Sequence, residues 1–409
     1  MNKPDGCPYA FSTFDITAKE HRKHIEPVWS QMRAQSQLPR SDNFGGFYIL
    51  TKHADVAAAS RDARLFSSAA NGIAIPDLSA GGRLLPVESD PPYHTEYRSL
   101  FAPFVTNAAM QKHDPLLRSL ATGLLDRCAG RPKLDFVKEF ARPFPAFAVL
   151  RILGIPETDV DRMAHLVDTA VDGAEGEGRG GPQMIAAAKE LNEYLVRVLQ
   201  ARQAAPHDPE NIISTIVHAS LPSAPLGLKE QTSLLKIFIF GGFTTTTFAL
   251  ASAMRWLLEH PADFDRLRSH PDLLRSAVDE FVRFSSPGTY VARTAMQDTM
   301  MGTTPLRKGD RVLLCYGAAN RDPAVFEQPD ELILDRALNQ QAANRHLGFG
   351  NGPHGCMGIH LARLEMRVAL DECLKVLGAY CVDPEGEIEW ASGETEGMTT
   401  LPLMLRKSE

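Results

Sequence analysis

One cysteine of this chain lies where its thiol could do chemistry. Cys356 belongs to the glycine-rich run Phe349–Gly358 (FGNGPHGCMG), which directly precedes apolar residues that recur at helical spacing. A cysteine at the start of a helix meets free backbone N–H groups and the positive end of the helix dipole, and both favour the thiolate. A thiolate can bind a metal or attack an electrophile. The glycines would let a flat, bulky group lie close to the backbone.

Other roles for Cys356 fit the surrounding residues less well. A redox dithiol needs a second cysteine two or three residues away, whereas the next one is Cys373. A zinc site needs four ligands, and only His354, Cys356 and His360 are close in the sequence. A catalytic thiol needs a base and an orienting group, which one sequence cannot place. An inert buried cysteine is common, but the spacing F-G-x-G-x-H-x-C-x-G argues against it.

The composition is that of an ordinary globular enzyme, with 44% hydrophobic and 23% charged residues among 409. A net charge of −7 and the lack of a basic block give no reason to expect nucleic acid. Six cysteines without a framework spacing argue for free thiols in a reducing compartment. The segment Met1–Gly6 lacks the apolar core of a signal peptide or membrane anchor. We therefore expect a cytoplasmic protein.

Most of the chain has helical patterning, with short β-like runs near 46–50, 311–315 and 401–405. The segment Leu228–Glu259 has the longest helical pattern and is apolar on nearly every face. Such a helix is either buried in a large core or spans a membrane. Because Lys236 and Thr244–Thr247 interrupt the apolar surface, we expect a buried central helix. Its interior Gly241-Gly242, followed by threonines that compete for backbone carbonyls, predicts a local widening or kink.

The loop around Cys356 resembles the haem-binding loop of the cytochrome P450 family, in which the cysteine thiolate is the axial ligand of haem iron. The resemblance runs from Asp90 to the C-terminus and points to the soluble bacterial class. It implies a mainly α fold with small β-sheets, in a single haem domain over residues 1–409. It also implies haem b as the cofactor, with Cys356 as the iron ligand and with contacts at Phe349, Gly350, His354 and Gly358. The glycine-rich segment Asp172–Pro182, a flexible helix–helix connection, would lie near the loop that lifts to admit substrate.

Basic residues elsewhere match the family's contacts to the two haem propionates. His94 and Arg98 are four residues apart on a predicted helix after a Pro-Pro turn, so they share a face. On sequence alone they could be two solvated side chains. Buried carboxylates need cationic partners, and the resemblance assigns that role to His94 and Arg98. Arg293 and His354 match the remaining propionate contacts.

Glu280 and Arg283 lie one turn apart on a predicted helix. Taken alone, an E-x-x-R pair is a surface ion pair of little weight. Together with Arg336 it resembles the family's structural Glu-Arg network. We therefore expect these three residues to support the fold rather than to catalyse.

The central helix departs from the family pattern at one position. The usual order is glycine, any residue, an acid and then threonine, in which the alcohol hydrogen-bonds dioxygen and the acid relays protons. Here Thr244 stands in the place of the acid and Thr245 in that of the alcohol, and no Asp or Glu occurs from Lys236 to Trp256. The resemblance implies Thr245 and Thr244 as catalytic residues. Protons would have to come through Thr244, waters or a group of the substrate.

The resemblance implies a monooxygenase that inserts one oxygen atom of O2 into a C–H bond. A small hydrophobic substrate, terpenoid or aromatic, fits the apolar residues that the family layout places around the pocket: Ile73, Ile75, Leu78, Leu85, Phe240, Phe243, Thr289, Val291 and Met398. No flavin or nicotinamide fingerprint is present, so we expect a separate ferredoxin and ferredoxin reductase. Arg363 and Arg367, on the helix after Cys356, are candidate ferredoxin contacts.

Three alternatives remain open. A peroxygenase does not need the missing acid, but it usually has an arginine on the central helix near the haem, and none lies between Lys236 and Arg255. A nitric oxide reductase of the same fold also lacks the acid and would have a basic pocket for a nicotinamide. A haem sensor would have neither a substrate pocket nor turnover. Reactions with NADH plus ferredoxin and reductase, with NADH alone, and with peroxide would separate them.

Overall fold

The computed structural model describes residues 10–18, 25–76, 82–172, 181–339 and 345–406. Helices dominate these residues and small β-sheets accompany them, which confirms the expected fold class. The α-helices are α1 (Ile25–Arg33), α2 (His53–Arg61), α3 (Tyr93–Phe101), α4 (Asn107–Gln111), α5 (Asp114–Cys128), α6 (Pro143–Ile152), α7 (Glu157–Asp172), α8 (Pro182–Gln203), α9 (Ile212–His218), α10 (Leu228–Glu259), α11 (Pro261–Ser269), α12 (Leu274–Ser285), α13 (Tyr316–Ala319), α14 (Arg336–Asn339) and α15 (Ile359–Val376).

The strands are short, and the predicted runs near 46–50, 311–315 and 401–405 are among them. They are β1 (Arg40–Ser41), β2 (Phe47–Leu50), β3 (Phe66–Ser67), β4 (Lys133–Asp135), β5 (Tyr290–Ala295), β6 (Thr299–Met301), β7 (Thr304–Leu306), β8 (Arg311–Cys315), β9 (Tyr380–Val382), β10 (Trp390–Ala391), β11 (Gly397–Met398) and β12 (Pro402–Leu405). Two of the predicted features fall partly or wholly outside the described residues: positions 173–180 of the flexible connection, and Leu78 of the substrate pocket.

The largest sheet has the strand order β1-β2-β8-β5-β3. Its β2 and β8 are parallel, and the other neighbours are antiparallel. Arg293 on β5 lies opposite Val312 on β8. Smaller sheets join β4-β12-β9, β6-β7 and β10-β11. The pairing of β5 with β8 therefore fixes the position of Arg293 in the sheet.

The long helix α10 runs through the largest hydrophobic cluster of the protein. By length and composition it could cross a membrane. However, α6, α8, α12 and α15 pack against it, and half of its residues are buried. The predicted buried central helix is therefore confirmed.

The two glycines of α10 have different neighbours. A Cβ atom at Gly242 would lie 2.6 Å from Cγ2 of Val149 on α6, so glycine lets the two helices approach closely. A Cβ atom at Gly241 would meet nothing within 4 Å. The helix is α-helical throughout, with no π-type widening at the glycines. The Thr245 hydroxyl donates to the Gly241 carbonyl at 3.0 Å, a type of bond that often bends a helix, so a kink at this point stays a prediction.

A buried carboxylate connects α12 to the segment that leads into α14. Glu280 accepts two hydrogen bonds of 2.8 Å from Arg283, and Arg336 Nε lies 3.0 Å from its Oε1. The Ile333 amide also donates to Glu280 at 2.8 Å. The remaining guanidinium donors bind backbone carbonyls, including those of Asn320 and Glu331. All three charged side chains are buried, which agrees with the expected structural role.

We expect Glu280→Gln to destabilise the protein strongly. The substitution would leave two buried guanidinium groups without their anion, and breaking a buried pair costs about 3–5 kcal/mol. Glu259→Gln is the matched control, because Glu259 forms an exposed pair with Arg255 and should contribute less than about 1 kcal/mol. Denaturant unfolding of the haem-loaded proteins measures both changes. Equal effects of the two substitutions would contradict the structural role of Glu280.

Candidate active site

The loop before α15 is held in place by backbone hydrogen bonds and close contacts. The Cys356 amide donates to the Phe349 carbonyl at 2.8 Å, and the Gly350 amide donates to the Leu347 carbonyl at 2.8 Å. Gly350 and Gly352 have positive φ angles of 70° and 69°. A Cβ atom at Gly352 would lie 2.6 Å from the Ser60 carbonyl oxygen, so glycine is required for the loop to pack on α2. These constraints fix the direction of the Cys356 side chain.

The same loop is tied to the buried ion pairs through Asn320. Arg283 donates to the Asn320 carbonyl at 2.8 Å, and the Asn320 side chain accepts a hydrogen bond from the Leu347 amide at 2.6 Å. The Leu347 carbonyl in turn accepts from Gly350. A continuous path of hydrogen bonds therefore joins Arg283 to the loop.

Cys356 is accessible to solvent. Its surroundings raise the pKa of the thiol by desolvation, and a backbone hydrogen bond at Gly358 together with Arg98 and Arg363 partly opposes this. A coordinated metal ion deprotonates a thiol outright, so the raised pKa of the thiol is compatible with a metal ligand.

Four basic residues converge beside this loop, and we call them the basic cluster: His94 and Arg98 on α3, Arg293 on β5 and His354 in the loop. The His94 and His354 rings are 4.1 Å apart between centroids. Arg98 donates to the Gly355 carbonyl at 2.8 Å. Arg293 is only 2% exposed, and the hydrogen bond that the structure gives it goes to the neighbouring Ala292 carbonyl at 2.8 Å.

Burial and the neighbouring basic residues lower the pKa values of both histidines in the basic cluster. Burial, Arg293, His94 and Arg98 lower the pKa of His354 to about 2. Burial, Arg98 and Arg293 lower the pKa of His94 to about 4, against the opposing effect of Asp90. Burial also lowers the pKa of Arg293. This concentration of buried positive charge calls for anionic partners, and two carboxylates would supply them.

One face of α10 carries the residues expected to work on the other side of this site. Gly241 is exposed in the middle of the helix, and Thr244 and Thr245 are half-buried one turn later. Ile237 lies one turn before Gly241 on the same face and is also half-buried. Sequence reasoning missed Ile237, although its four-residue spacing from Gly241 could have identified it.

The predicted pocket residues fall into two groups. Ile73, Leu85, Phe240 and Val291 are half-buried, as residues that border an accessible space would be. Four others are buried, with exposed fractions of 1–4%: Ile75, Phe243, Thr289 and Met398. Phe243 lies half a helical turn away from Gly241, which explains its place in the core. The assignment of these four as pocket residues stays a prediction.

Comparison with known proteins identifies the family and the fold. The profile of the family "Cytochrome P450" matches residues 181–387. Cytochrome P450 126 of Mycobacterium tuberculosis is 31% identical over 418 aligned residues, which cover 99% of this chain and 96% of that protein. The chain belongs to the cytochrome P450 family. It is therefore a cytochrome P450 monooxygenase whose cofactor is haem b.

Two further proteins are similar to this cytochrome P450 over most of its length. Linalool 8-monooxygenase of Pseudomonas putida is 29% identical over 371 residues, which are 87% of each chain. The solved structure of the cytochrome P450 PksS, from the bacillaene polyketide synthase of Bacillus subtilis, superimposes with a TM-score of 0.84 at 28% identity. That superposition covers 97% of this chain and 100% of PksS.

The residues of the site fit haem b. Cys356 offers an accessible sulfur, the basic cluster offers charge for two propionates, and Gly241 leaves room for a flat group beside the central helix. The described residues contain no group of three or more His, Cys, Asp or Glu that could hold a metal ion by itself. A single sulfur ligand is what an iron already held by a porphyrin requires.

We expect the haem-free protein to lose stability as the pH falls from about 6.5 to about 4. In this window an unfolded histidine binds a proton, whereas His94, with a folded pKa of about 4, does not. One such proton changes the free energy of unfolding by at most about 1.4 kcal/mol per pH unit. His94→Gln should therefore reduce the pH slope, and His165→Gln, at an exposed position on α7, should not. Indistinguishable slopes in thermal melts of the two variants would contradict the lowered pKa.

Proposed function

We propose that Cys356 is the axial ligand of the haem iron and that the basic cluster holds the haem propionates. The observation that carries this proposal is the convergence of Arg98, Arg293 and two neutral histidines beside an accessible cysteine. Asp90 opposes the lowering of the His94 pKa only in part. Phe349, Gly350 and Gly358 are proposed loop contacts. When bound, the haem supplies the chemistry that inserts one oxygen atom of O2 into a C–H bond of the substrate.

We further propose that the hydroxyl groups of Thr245 and Thr244 transfer protons on the open face of α10. Thr245 Oγ1 donates to the Gly241 carbonyl at 3.0 Å, so its hydroxyl is oriented along this face. A side-chain rotation would turn that hydroxyl proton toward the open side of α10 without breaking a backbone hydrogen bond. Thr244 stands where the family usually has an acid, and its hydroxyl can pass a proton but cannot supply one.

The proposed substrate is a small hydrophobic molecule, terpenoid or aromatic. The half-buried residues Ile73, Leu85, Phe240 and Val291 support this class, and Ile237 adds to their apolar surface. The name of the related linalool 8-monooxygenase states that it acts on linalool, which is a small hydrophobic alcohol. Pockets for such ligands are apolar with few polar groups.

Electrons are proposed to come from a separate ferredoxin and its reductase in the cytoplasm, with residues 1–409 acting as a single haem domain. Arg363 and Arg367 are each about one third exposed on α15, as docking contacts would be. Both already bind acids of this chain: Arg363 Nε lies 2.8 Å from Asp279, and Arg367 Nη2 lies 3.2 Å from Asp114. These contacts orient the guanidinium groups and reduce the positive charge that a ferredoxin would meet.

Replacing Cys356 tests the proposed iron ligand. We expect Cys356→Ala to abolish the thiolate-type spectrum of the reduced carbon monoxide complex, because that spectrum requires a cysteine sulfur on the iron. Cys381→Ala is the control, since Cys381 is a half-buried free cysteine on β9. If Cys356→Ala kept the thiolate-type spectrum, another residue would be the ligand. In a separate measurement, spectral shifts on adding small apolar compounds to the wild-type protein would identify the substrate class.

Replacing Thr245 tests the proposed proton delivery. We expect Thr245→Ala to lower the product formed per NADH consumed by about tenfold or more, with the difference released as hydrogen peroxide. Thr232→Ala is the matched control, because its hydroxyl makes the same kind of bond, to the Leu228 carbonyl at 2.7 Å, three turns away. Unchanged coupling in Thr245→Ala would remove Thr245 from the proton route.

A further inference from the structure

Lys236 is a charged residue of the central helix that the functions described so far do not use. It lies on α10 among apolar residues, five positions before Gly241, and is half-buried. Burial lowers the pKa of its ammonium group, and no acid among the described residues opposes this shift. A charged group that is withdrawn from water without a partner costs folding free energy, so its presence here requires an explanation.

Lys236 shares one side of α10 with residues that are proposed to contact the substrate. Ser233 and Phe240 lie one turn before it and one turn after it on that side. The Ser233 hydroxyl donates to the Arg83 carbonyl at 2.6 Å and accepts from the Leu85 amide at 2.9 Å. These two bonds fix the segment that carries Leu85 against the same side of the helix. Lys236 therefore lies beside Phe240 and this segment, at an apolar surface that the substrate would contact.

Two acids of the same elements are engaged elsewhere. Glu88 is buried, and its two carboxylate oxygens accept from backbone amides at 3.2 Å and 2.8 Å. Glu230 lies in the first turn of α10, and its Oε2 is 3.2 Å from the position that a Cβ atom of Gly227 would occupy. Neither acid acts on the ammonium group of Lys236. Because Lys236 is only half-buried, an anion from outside the protein can reach it.

We propose that the substrate carries a carboxylate group and that Lys236 binds it. The inference rests on the proposed function, since it adds an anionic end to the small hydrophobic molecule described above. Lys236 binds and orients the substrate and takes no part in making or breaking bonds.

A carboxylate fits this position better than other anions. One ammonium group balances one negative charge, which is the charge of a carboxylate, whereas a phosphate ester carries about two at neutral pH. The guanidinium of Arg83 is exposed and provides no second cation at the half-buried position. An ion pair that is partly withdrawn from water is also screened less than one on the surface.

The position of Lys236 also predicts which end of the substrate is oxidised. Five residues separate it from Gly241, which corresponds to about 7.5 Å along the helix axis. Since Gly241 borders the space for the proposed haem, the carboxylate would be held away from the reacting carbon. We therefore expect the new oxygen at the end of the substrate remote from the carboxylate. Product analysis after turnover with a ferredoxin and its reductase checks this, and oxygen inserted next to the carboxylate would contradict the orientation.

Matched acids and amides test the proposal without turnover. The probes are geranate and 4-isopropylbenzoate, each compared with its neutral amide, because the members of a pair have nearly the same shape and differ in charge. Isothermal titration calorimetry with the haem-loaded protein measures the four dissociation constants. We expect the wild-type protein to bind each acid about tenfold or more tightly than its amide, as is typical of a hydrogen bond to a charged group.

Substitutions at position 236 assign this preference to the ammonium group. Lys236→Met removes the charge but keeps a side chain of similar length, and Lys236→Arg keeps the charge. We expect Lys236→Met to weaken the binding of both acids by about tenfold or more and that of the amides by less than about twofold. Lys236→Arg should keep most of the preference for acids. Lys229→Met is the matched control, because Lys229 is exposed on the same side of α10 two turns earlier.

Thermal melts test the missing partner in the absence of substrate. Because a half-buried ammonium group without an anion costs stability, Lys236→Met should melt at a higher temperature than the wild-type protein. Geranate should stabilise the wild-type protein more than it stabilises Lys236→Met, since it binds the wild type more tightly. The reduced carbon monoxide complex of Lys236→Met should keep the thiolate-type spectrum, which would show that haem binding is intact.

Three results would overturn the proposal. The first is equal binding of acids and amides by the wild-type protein, which would leave the proposed apolar substrate class standing. The second is an equal loss of acid binding in Lys236→Met and Lys229→Met, which would indicate a general effect of net charge. The third is a lower melting temperature of Lys236→Met, which would show that the ammonium group already has a partner. If none of the four probes binds, the proposed substrate class fails together with the inference.

Discussion

The carboxylate of Glu280 is the constraint on which the position of the active-site loop depends. It pairs with both Arg283 and Arg336 inside the protein, and other guanidinium donors bind backbone carbonyls of the segment between β8 and α14. That segment includes Asn320, whose side chain accepts from the Leu347 amide. A buried charge pair is seldom favourable compared with apolar packing. Here it holds a stretch of irregular backbone rigid, and the orientation of Cys356 depends on that rigidity.

Two arrangements near the proposed site leave buried polar groups without full compensation. The basic cluster brings Arg293 and Arg98 together with two histidines that remain neutral. Glu365 on α15 is buried with one hydrogen bond, from the Thr246 hydroxyl, and its Oε1 has no partner among the described residues. Both arrangements cost folding free energy unless a further group compensates them. The propionates of the proposed haem would compensate the first.

The sequence predicted the parts of this structure that short motifs determine. The loop before α15 and the buried helix α10 follow from residue types at fixed spacings. The buried partnership of Glu280 with Arg283 and Arg336 was predicted from the family resemblance. The sequence did not predict properties that depend on distant neighbours. Gly242 is explained by Val149, almost one hundred residues away, and the packing of Phe243 by its helical phase. Glu365 was missed because a single acid on an amphipathic helix is normally a surface residue, and only the fold reveals its burial.

Gly241 has a consequence for how this enzyme could be altered. Glycine inside a helix costs about 1 kcal/mol relative to alanine, yet a side chain at position 241 would meet no atom within 4 Å. Gly242 next to it cannot be enlarged without displacing Val149. The open space beside Gly241 is the space in which the proposed haem would lie, so a side chain at position 241 would gain helix stability while competing with the cofactor. A laboratory library that varies this position would therefore trade cofactor binding against thermal tolerance.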